Sequence, residues 1–388
     1  MATVMERLFQ LMSEKKASDL YLAPGSPIHI KINGITVPVN QQKLDPEGVA
    51  QLMREVVTER QWQEFLERRE LNCGYSMRGV GSFRINVLQQ RGSPAAVVRF
   101  IPGDIPAFDS LRLPSILADL VLEKRGLILV VGSTGSGKST TLASMLDHRN
   151  GTKSGHILTF EDPIEFTFKN KRSIVNQRQV GTDTDSLGVG LKNAMRQAPD
   201  CIFIGEIRDI ETMSAAIAYA QSGHLVLSAL HANNANNALN RIISFYPPEN
   251  RRVMLADLAA TLKAIVSQRL VRAQDSTRIA AVELLLNTRH IAELVEQGRL
   301  TEIKEAMEQS LAPGSQTFEQ ALLALVRART VSREDAIANA DSPTNLLWLL
   351  ENAGLAGPGA PASAAAPPAP AKDKETDSAS FSEFLLNI

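Results

Sequence analysis

The feature that most constrains the fold of this chain is a glycine-rich segment, GSTGSGKS, at residues 132–139. It matches the pattern G-x-x-x-x-G-K-[ST] at every fixed position. An apolar run, LILVV, ends directly before it, and a helical pattern, TTLASMLDHR, follows it. A strand, such a loop and a helix together form a unit whose backbone N–H groups bind phosphate. The segment therefore predicts a nucleotide-binding loop within an α/β domain.

The loop also predicts the cofactors of the chain, namely ATP and Mg²⁺. Lys138 is expected to reach the β and γ phosphates, and Ser139 is expected to ligate Mg²⁺. The residues expected to contact the nucleotide are Gly132, Ser133, Thr134, Gly135, Ser136, Gly137, Lys138, Ser139 and Thr140.

Apolar runs of strand length alternate with helical patterns from residue 125 onwards. The runs LILVV, HILTF, CIFIG and LVLSAL are apolar rather than alternating, as in strands that are buried on both faces of a parallel sheet. Repeated strand–helix alternation predicts a three-layer α/β/α domain over residues 125–350. Within it, residues 247–350 are expected to be mainly helical, including the segments ADLAATLKAIVSQRL and SQTFEQALLALVRA.

Further regions flank this domain on both sides. Residues 1–102 combine an amphipathic helix at 3–16 with alternating, strand-like runs, which predicts a small α/β domain. Residues 103–124 are interpreted as a linker. Residues 351–388 are Ala/Pro-rich and then charged, which is typical of a disordered tail. The tail ends in FSEFLLNI, whose spacing predicts an amphipathic helix that either binds a partner or packs back on the chain.

Composition excludes several classes of protein. The two cysteines, Cys73 and Cys201, are too few for a disulfide framework or a four-cysteine zinc module. Lys and Arg number 41 against 42 Asp and Glu, so the chain lacks the basic excess typical of DNA-binding proteins. The absence of a signal peptide and of a long apolar run predicts a cytoplasmic protein with no transmembrane segment, and no nucleic-acid partner is expected.

Two acidic motifs follow predicted strands. HILTFEDPIEF contains Glu161, Asp162 and Glu165, and CIFIGEIRD contains Glu206. Because open parallel sheets bind ligands at the carboxyl ends of their strands, these carboxylates are expected near the phosphate loop. Glu206 is expected to hold Mg²⁺ through water or to polarise the attacking water, and Glu165 is the favoured general base, although the choice between the two stays open. For Asp162, a turn residue is as good an interpretation as a functional role. For Glu161, a solvated turn carboxylate is as good an interpretation as a functional role.

Two histidines, His224 and His231, bracket the apolar run from Leu225 to Leu230. If that run is a strand, about seven steps of 3.3 Å separate the two Cα atoms by roughly 23 Å, too far to share one metal ion. His231 is expected to approach the γ-phosphate region. His224 is expected at the opposite edge of the sheet, or in a loop that reaches a neighbouring subunit. A structural hydrogen bond is the alternative for either side chain.

The order of these motifs resembles that of one ATPase family. A phosphate loop, an acidic box (EDPIEF), the GEIRD segment and a histidine box (GHLVLSALH) follow the order of the secretion-type ATPases of type IV pili and type II secretion. Residues 1 to about 350 resemble the pilus-retraction branch, PilT and PilU. The segments LHANNANNALNRII and SQTFEQALLAL are more similar to the PilU members.

This resemblance implies a homo-hexamer with ATP bound between protomers, in which an N-terminal PAS-like domain packs on the RecA-like domain of the next subunit. It implies a motor for pilus retraction and twitching motility that acts through an inner-membrane platform protein (PilC-like), at the cytoplasmic side of that membrane. Family arginines imply that Arg84, Arg99 and Arg125 help to neutralise phosphate charge. The residues then expected to be catalytic are Lys138, Glu165, Glu206, His231 and Arg125, and His224 and Arg99 are expected to contact nucleotide.

Two positions depart from the family pattern. Ser133 replaces a proline of the first box, and Ala292, in HIAELVEQ, replaces an arginine of the PilT retraction motif AIRNLIRE. The second departure favours an accessory, PilU-like motor that works with a PilT-like retraction ATPase. The alternatives are an assembly or type II secretion ATPase, a DNA motor, and a nucleotide-binding adaptor without turnover. The cysteine count disfavours an assembly or secretion ATPase, and the charge balance disfavours a DNA motor. The complete acidic motifs disfavour an adaptor without turnover.

Overall fold

The computed structural model describes residues 2–32, 34–102, 105–275 and 277–354. The strands in these ranges form two sheets, one of six strands and one of seven. No helix within the described ranges is both long and apolar enough to cross a bilayer. The predicted terminal helix of the tail lies outside the described residues.

The first sheet is antiparallel and is formed by the N-terminal part of the chain. Its order is β3-β2-β1-β6-β5-β4. Its strands are β1 Asp19–Leu22, β2 Pro27–Ile32, β3 Ile35–Lys43, β4 Glu70–Met77, β5 Gly81–Gln90 and β6 Ser93–Pro102. Three helices share its core, α1 Val4–Glu14, α2 Pro46–Arg54 and α3 Glu59–Arg68. The strand and helix content expected for residues 1–102 is thus present.

Alternation along β5 determines which face of this sheet the helices cover. Phe83, Ile85 and Val87 are buried in the shared core. Arg84 lies between them in sequence and is exposed, because successive strand residues point to opposite faces. It pairs directly with Arg99 of β6, which is also exposed. The uncovered face of the first sheet therefore carries two adjacent arginines.

The second sheet is parallel except for one edge. Its order is β13-β12-β7-β11-β10-β8-β9, and only β12 and β13 pair antiparallel. Its strands are β7 Gly126–Val131, β8 Gly155–Glu161, β9 Ser173–Gln179, β10 Cys201–Glu206, β11 Leu225–Leu230, β12 Leu262–Arg272 and β13 Arg278–Leu286. Along β7, Leu129 lies in one core and its neighbours Ile128 and Val130 lie in another. Both faces are therefore covered, which confirms the expected three-layer α/β/α class.

The helices of this part cover the two faces of the sheet and one end of it. They are α4 Ile116–Leu122, α5 Lys138–Thr152, α6 Leu187–Ala194, α7 Ile210–Gln221, α8 Ala235–Phe245, α9 Pro248–Thr261, α10 Arg289–Glu296, α11 Ile303–Glu308, α12 Phe318–Arg327, α13 Arg333–Ala338 and α14 Pro343–Asn352. Helices α4 and α5 share the core on one face, and α7, α9 and α10 share the core on the other. Helices α12 to α14 form a separate core with the ends of β12 and β13.

The expectation that residues 247–350 are mainly helical is wrong at β12 and β13. The segment ADLAATLKAIVSQRL is split, because α9 ends at Thr261 and β12 begins at Leu262. Short apolar runs fit a buried helix and a buried strand equally well, so periodicity alone does not distinguish them. Here β12 is buried between β7 and β13, and this position in the sheet makes it a strand.

The second half of the predicted linker is also ordered. Helix α4 spans Ile116–Leu122, and its Leu117 and Val121 are fully buried against α5. This helix therefore packs as part of the second unit, and Phe108 and Leu113 of the preceding segment pack on the same core. The expected domain boundaries stay a prediction.

A buried carboxyl group on β13 gives the protein a predicted pH dependence. Glu283 Oε1 accepts hydrogen bonds from the Ala235 N–H at 2.7 Å and from the Ser267 hydroxyl at 2.8 Å. Burial raises the pKa of Glu283 from 4.5 to about 7, so the folded state keeps a proton that the unfolded state releases. Its stabilising contribution is fully present below the unfolded pKa and is lost as the pH rises through the folded pKa.

We expect the Tm of the wild type to fall more steeply between pH of about 5 and about 8 than the Tm of Glu283→Gln. Thermal unfolding followed by circular dichroism measures both slopes. The exposed Glu296→Gln change on α10 is the matched control and should keep the wild-type slope. Equal slopes for the wild type and Glu283→Gln would contradict the assignment.

Candidate active site

The phosphate loop lies between the end of β7 and the start of α5. Gly135 and Gly137 have φ angles of +78° and +90°, in the left-handed region that favours glycine. Lys138 begins α5, and its Nζ donates to the carbonyl oxygens of Gly132 and Ser133 at 2.9 Å each. The amino end of α5 adds a partial positive charge at the same place. The loop therefore has the geometry expected of a phosphate site.

A cavity of about 860 Å³ opens beside this loop. The loop residues that line it are Thr134, Gly135, Gly137, Lys138, Ser139 and Thr140. The polar residues that line it from other segments are Arg84, Arg99, Glu161, Asp162, Glu165, Glu206, Arg208, Asp209, Thr212 and His231. The lining does not include three further loop residues that are expected to contact the nucleotide, Gly132, Ser133 and Ser136. Ser136 is buried. The volume suits a ligand of nucleotide size.

Lys138 is the buried cation of the cavity. Its side chain is 9% exposed, and burial lowers its pKa, while the charges of Glu206 and Glu165 act in the opposite direction. The ammonium group is thus partly removed from water and lies near two carboxylates. A phosphate in the cavity would meet this cation in a partly desolvated setting, where charge–charge attraction is stronger than in water.

Glu206, at the carboxyl end of β10, is held by two basic side chains. Its Oε1 lies 3.0 Å from Nε2 of His231, which directly follows the adjacent parallel strand β11. Its Oε2 accepts a hydrogen bond from Nε of Arg208 at 2.9 Å and forms an ion pair with Nη2 of the same side chain at 2.8 Å. Both carboxylate oxygens are therefore engaged. Arg208 was not identified from sequence, although its position two residues after Glu206 in GEIRD was a usable signal.

Glu161, at the end of β8, is a buried structural carboxyl. Its Oε1 accepts hydrogen bonds from Thr159 Oγ1 at 2.7 Å and from Gln177 Nε2 at 3.0 Å. Burial raises the pKa of Glu161 to about 7. Gln177 also donates to the carbonyl oxygen of Phe166 at 2.8 Å. The alternative of a solvated turn carboxylate is therefore wrong, because Glu161 anchors the segment that follows β8.

That segment carries Glu165 into the cavity. Glu165 is partly buried, and its carboxylate has no hydrogen-bond or ion-pair partner within the described part of the chain. It differs in this respect from Glu206, which is engaged on both oxygens. Of the two candidate bases, Glu165 thus has the carboxylate that is available to accept a proton.

The two arginines on the uncovered face of the first sheet reach the same cavity. Arg84 and Arg99 both line it together with the phosphate loop. Arg99 is oriented by an ion pair between its Nε and Asp19 Oδ1 at 3.0 Å. They extend the positive charge of Lys138 across the cavity, which suits a polyphosphate.

Arg125 and His224 lie at the other end of the sheet. Arg125 directly precedes β7, so the six residues of the strand place it roughly 20 Å from the loop that follows. His224 directly precedes β11, and its carbonyl oxygen accepts a hydrogen bond from the Gly126 N–H at 3.0 Å. Neither lines the cavity of its own chain. For His224 this agrees with the expected position at the opposite edge of the sheet. A role at the cavity of a neighbouring subunit stays a prediction.

The residues present fit Mg²⁺ bound together with a nucleotide. Ser139 and Glu206 line the same cavity. Among the described residues, no group of three or more His, Cys, Asp or Glu side chains is placed to hold a metal ion. Mg²⁺ commonly takes only one or two protein oxygens and completes its shell with water and phosphate oxygens. The donor set is therefore of the type that holds Mg²⁺ only with a phosphate ligand.

The loop, the cavity and the parallel sheet define a P-loop nucleotide-binding protein in which a second α/β unit faces the phosphate site. Residues 3–310 match the family model for type II/IV secretion system proteins. The chain belongs to this family and, within it, to the group of PilT and PilU ATPases.

Individual relatives support the same grouping. The chain is 46% identical to the type IV pilus ATPase PilU of Pseudomonas aeruginosa over 347 residues. The alignment covers 89% of this chain and 91% of that protein. It is 36% identical over 338 residues to PilT, the type IV pilus retraction ATPase of the same organism, with 87% and 98% covered. The crystal structure of the pilus retraction motor PilT with bound ADP superposes with a TM-score of 0.81 at 40% identity, covering 89% of this chain and 99% of that one. The resemblance inferred from the motifs and the assignment as an ATPase are thus confirmed.

Proposed function

We propose that this protein hydrolyses ATP with Mg²⁺ and powers or assists the retraction of type IV pili, as an accessory, PilU-like motor. The observation that carries the proposal is the convergence of Lys138, Glu165, Glu206 and His231 on one cavity beside the phosphate loop. The similarity to PilU along most of both chains supports the accessory role. Ala292, on α10 where the PilT retraction motif has arginine, supports it too.

The geometry supports a division of labour among these residues. Lys138 and the loop N–H groups bind the β and γ phosphates, and Ser139 together with Glu206, through water, holds Mg²⁺. When bound, Mg²⁺ neutralises charge on the phosphate oxygens. Glu165 accepts the proton of the attacking water, because its carboxylate has no partner within the described residues, whereas both oxygens of Glu206 already contact basic side chains. His231 reports the state of Glu206 to the segment that precedes α8.

A homo-hexamer accounts for the residues that lie away from the cavity. Arg125 and His224 occupy the opposite edge of the sheet, where they are available to an adjacent subunit. In this proposal residues 1–102 and 125–350 are the two domains, residues 103–124 connect them, and hydrolysis changes their relative position. Residues 351–388 form the tail. The proposed partners are a PilT-like ATPase and a PilC-like platform protein at the inner membrane.

Gene deletion in the native host tests this function. In the deletion strain, fluorescently labelled pili should extend normally and retract poorly. Expression of the wild-type protein should restore retraction. Repeating the deletion in cells without the PilT-like ATPase separates an accessory from an autonomous motor. Loss of pilus extension would instead indicate an assembly ATPase, and unchanged retraction would contradict the proposal.

A further inference from the structure

A buried glutamine on β12, Gln268, lies directly behind the phosphate loop and has no part in the roles described above. Its side chain is 3% exposed. β12 runs parallel to β7, and their pairing ends where Ser267 meets Val131, the last residue of β7. Gln268 is therefore the first residue beyond the paired region, and it lies next to Gly132, where the phosphate loop begins.

The two ends of the Gln268 amide bind the loop and the helix that follows it. Nε2 donates to the carbonyl oxygen of Ser136 at 2.9 Å. Oε1 accepts a hydrogen bond from the hydroxyl of Thr141, in the first turn of α5, at 2.7 Å. Thr141 is 1% exposed, so water does not replace this bond. The amide therefore ties the loop and the helix to β12 with both of its polar atoms.

The backbone of the loop leaves no space between itself and Gln268. A Cβ atom on Gly137 would lie 2.7 Å from Nε2 of Gln268, and one on Gly132 would lie 2.5 Å from the Gln268 carbonyl oxygen. Both distances are shorter than real Cβ contacts, so side chains at these positions would displace the loop or the strand. Two glycines of the phosphate loop thus permit its close contact with Gln268.

The contact to Ser136 has a direct consequence for phosphate binding. In a planar trans peptide the C=O and the following N–H point in opposite directions. Because the Ser136 carbonyl points inward to Gln268, the N–H of Gly137 points outward, toward the cavity that Gly137 lines. Gln268 reaches no reacting atom itself, but it orients a donor that does.

We propose that Gln268 is a positioning residue for the nucleotide, which holds the phosphate loop so that its N–H groups face the diphosphate. This inference rests on the proposed ATPase function. Substituting Gln268→Met keeps the length of the side chain and removes both hydrogen bonds. We expect this substitution to raise the Kd for ADP about tenfold to a hundredfold, because the carbonyl oxygen of Ser136 loses the hydrogen bond from Gln268 that orients the loop.

The test uses the full chain, a fluorescent ADP analogue with Mg²⁺, and steady-state ATP hydrolysis. In Gln268→Met the KM for ATP should rise with the Kd while kcat changes less than about threefold, because the loop contacts are equal in the ground and transition states. Thr141→Val is the matched control: it removes the other bond of the same amide and keeps the donor to Ser136. Its Kd should stay within about threefold of the wild type.

A third variant, Gln268→Glu, gives a readout that packing does not produce. A carboxylate only accepts hydrogen bonds, whereas a protonated carboxyl group donates one. Burial raises the pKa of such a group. At a pH of about 8 the variant should bind ADP at least as weakly as Gln268→Met, and at a pH of about 6 the loss should shrink by about tenfold relative to the wild type at the same pH. A change in packing alone does not produce this recovery, because it depends on the protonation state of residue 268.

The outcomes separate this inference from the proposed function. A wild type that does not bind ADP would contradict the proposed function itself. If the wild type binds and Gln268→Met binds equally well, the inference is overturned. It is also overturned if Thr141→Val weakens binding as much as Gln268→Met and Gln268→Glu shows no recovery at low pH. Thermal unfolding of the same samples identifies any variant that is unfolded. If Gln268→Met is unfolded, the comparison of Gln268→Glu at the two pH values decides whether the inference holds.

Discussion

Replacing Lys138 with alanine is expected to lower kcat for ATP hydrolysis about a hundredfold to a thousandfold. The ammonium group is the buried cation at the phosphate loop, and it is held by the carbonyl oxygens of Gly132 and Ser133. A cation that is desolvated and already in place stabilises charge on the transferred phosphoryl group without reorganisation in the transition state. Alanine removes that charge and leaves the loop carbonyls without their donor.

Release of inorganic phosphate by the purified full chain measures this effect. The exposed lysine on α6 provides the matched control, and Lys192→Ala should retain wild-type turnover. Equal and negligible turnover in the wild type and in Lys138→Ala would indicate a nucleotide-binding adaptor without catalysis. Equal and substantial turnover in both would place hydrolysis outside this cavity.

Glu165→Gln is expected to lower kcat about a hundredfold to ten-thousandfold, with a smaller change in KM. The amide keeps the size of the side chain but cannot take a proton from water. Glu165 suits that role because its carboxylate is unengaged within the described residues and faces the same cavity as Lys138. The Glu206 carboxylate accepts a hydrogen bond from Arg208 and lies beside His231, so proton acceptance there would have to break existing contacts.

Single-turnover hydrolysis together with nucleotide binding separates these effects. Glu165→Gln should bind ATP with the affinity of the wild type and fail in the chemical step. Asp185→Asn, an exposed carboxylate outside the cavity lining, is the matched control and should behave as wild type. If Glu165→Gln retains full kcat while Glu206→Gln loses it, then Glu206 is the base and the division of labour proposed above is wrong.

Local patterns were sufficient for much of the fold and of the site. The apolar runs at β7, β8, β10 and β11 were identified because a strand buried on both faces is apolar throughout. The acidic residues after two of these strands were placed near the loop because parallel strands share one carboxyl edge. Lys138, Glu165, Glu206 and His231 accordingly line one cavity, as their positions in the sequence predicted.

Other features depend on contacts that local patterns do not contain. The sequence predicts a helix at β12 because the apolar run there has no distinctive period. Its burial beside β7 is a property of the assembled sheet. The sequence does not decide between two interpretations of Glu161, because the environment of its carboxyl group depends on Gln177 of β9. Arg125 matches a family segment, but the direction of β7 places it at the edge opposite to the phosphate loop, where the strand length already predicts His224.

The sequence by itself determined the phosphate loop, the acidic residues beside it and the family of ATPases, because each rests on residues that are close together along the chain. Only the tertiary structure decided which glutamate has no partner among the described residues, which arginines face the cavity, and what lies behind the loop. Gln268 and Ser136 are 132 positions apart, and nothing in either local segment indicates that they are hydrogen-bonded. The physical reason is that strand order brings β12 beside β7, and strand order is a property of the whole sheet.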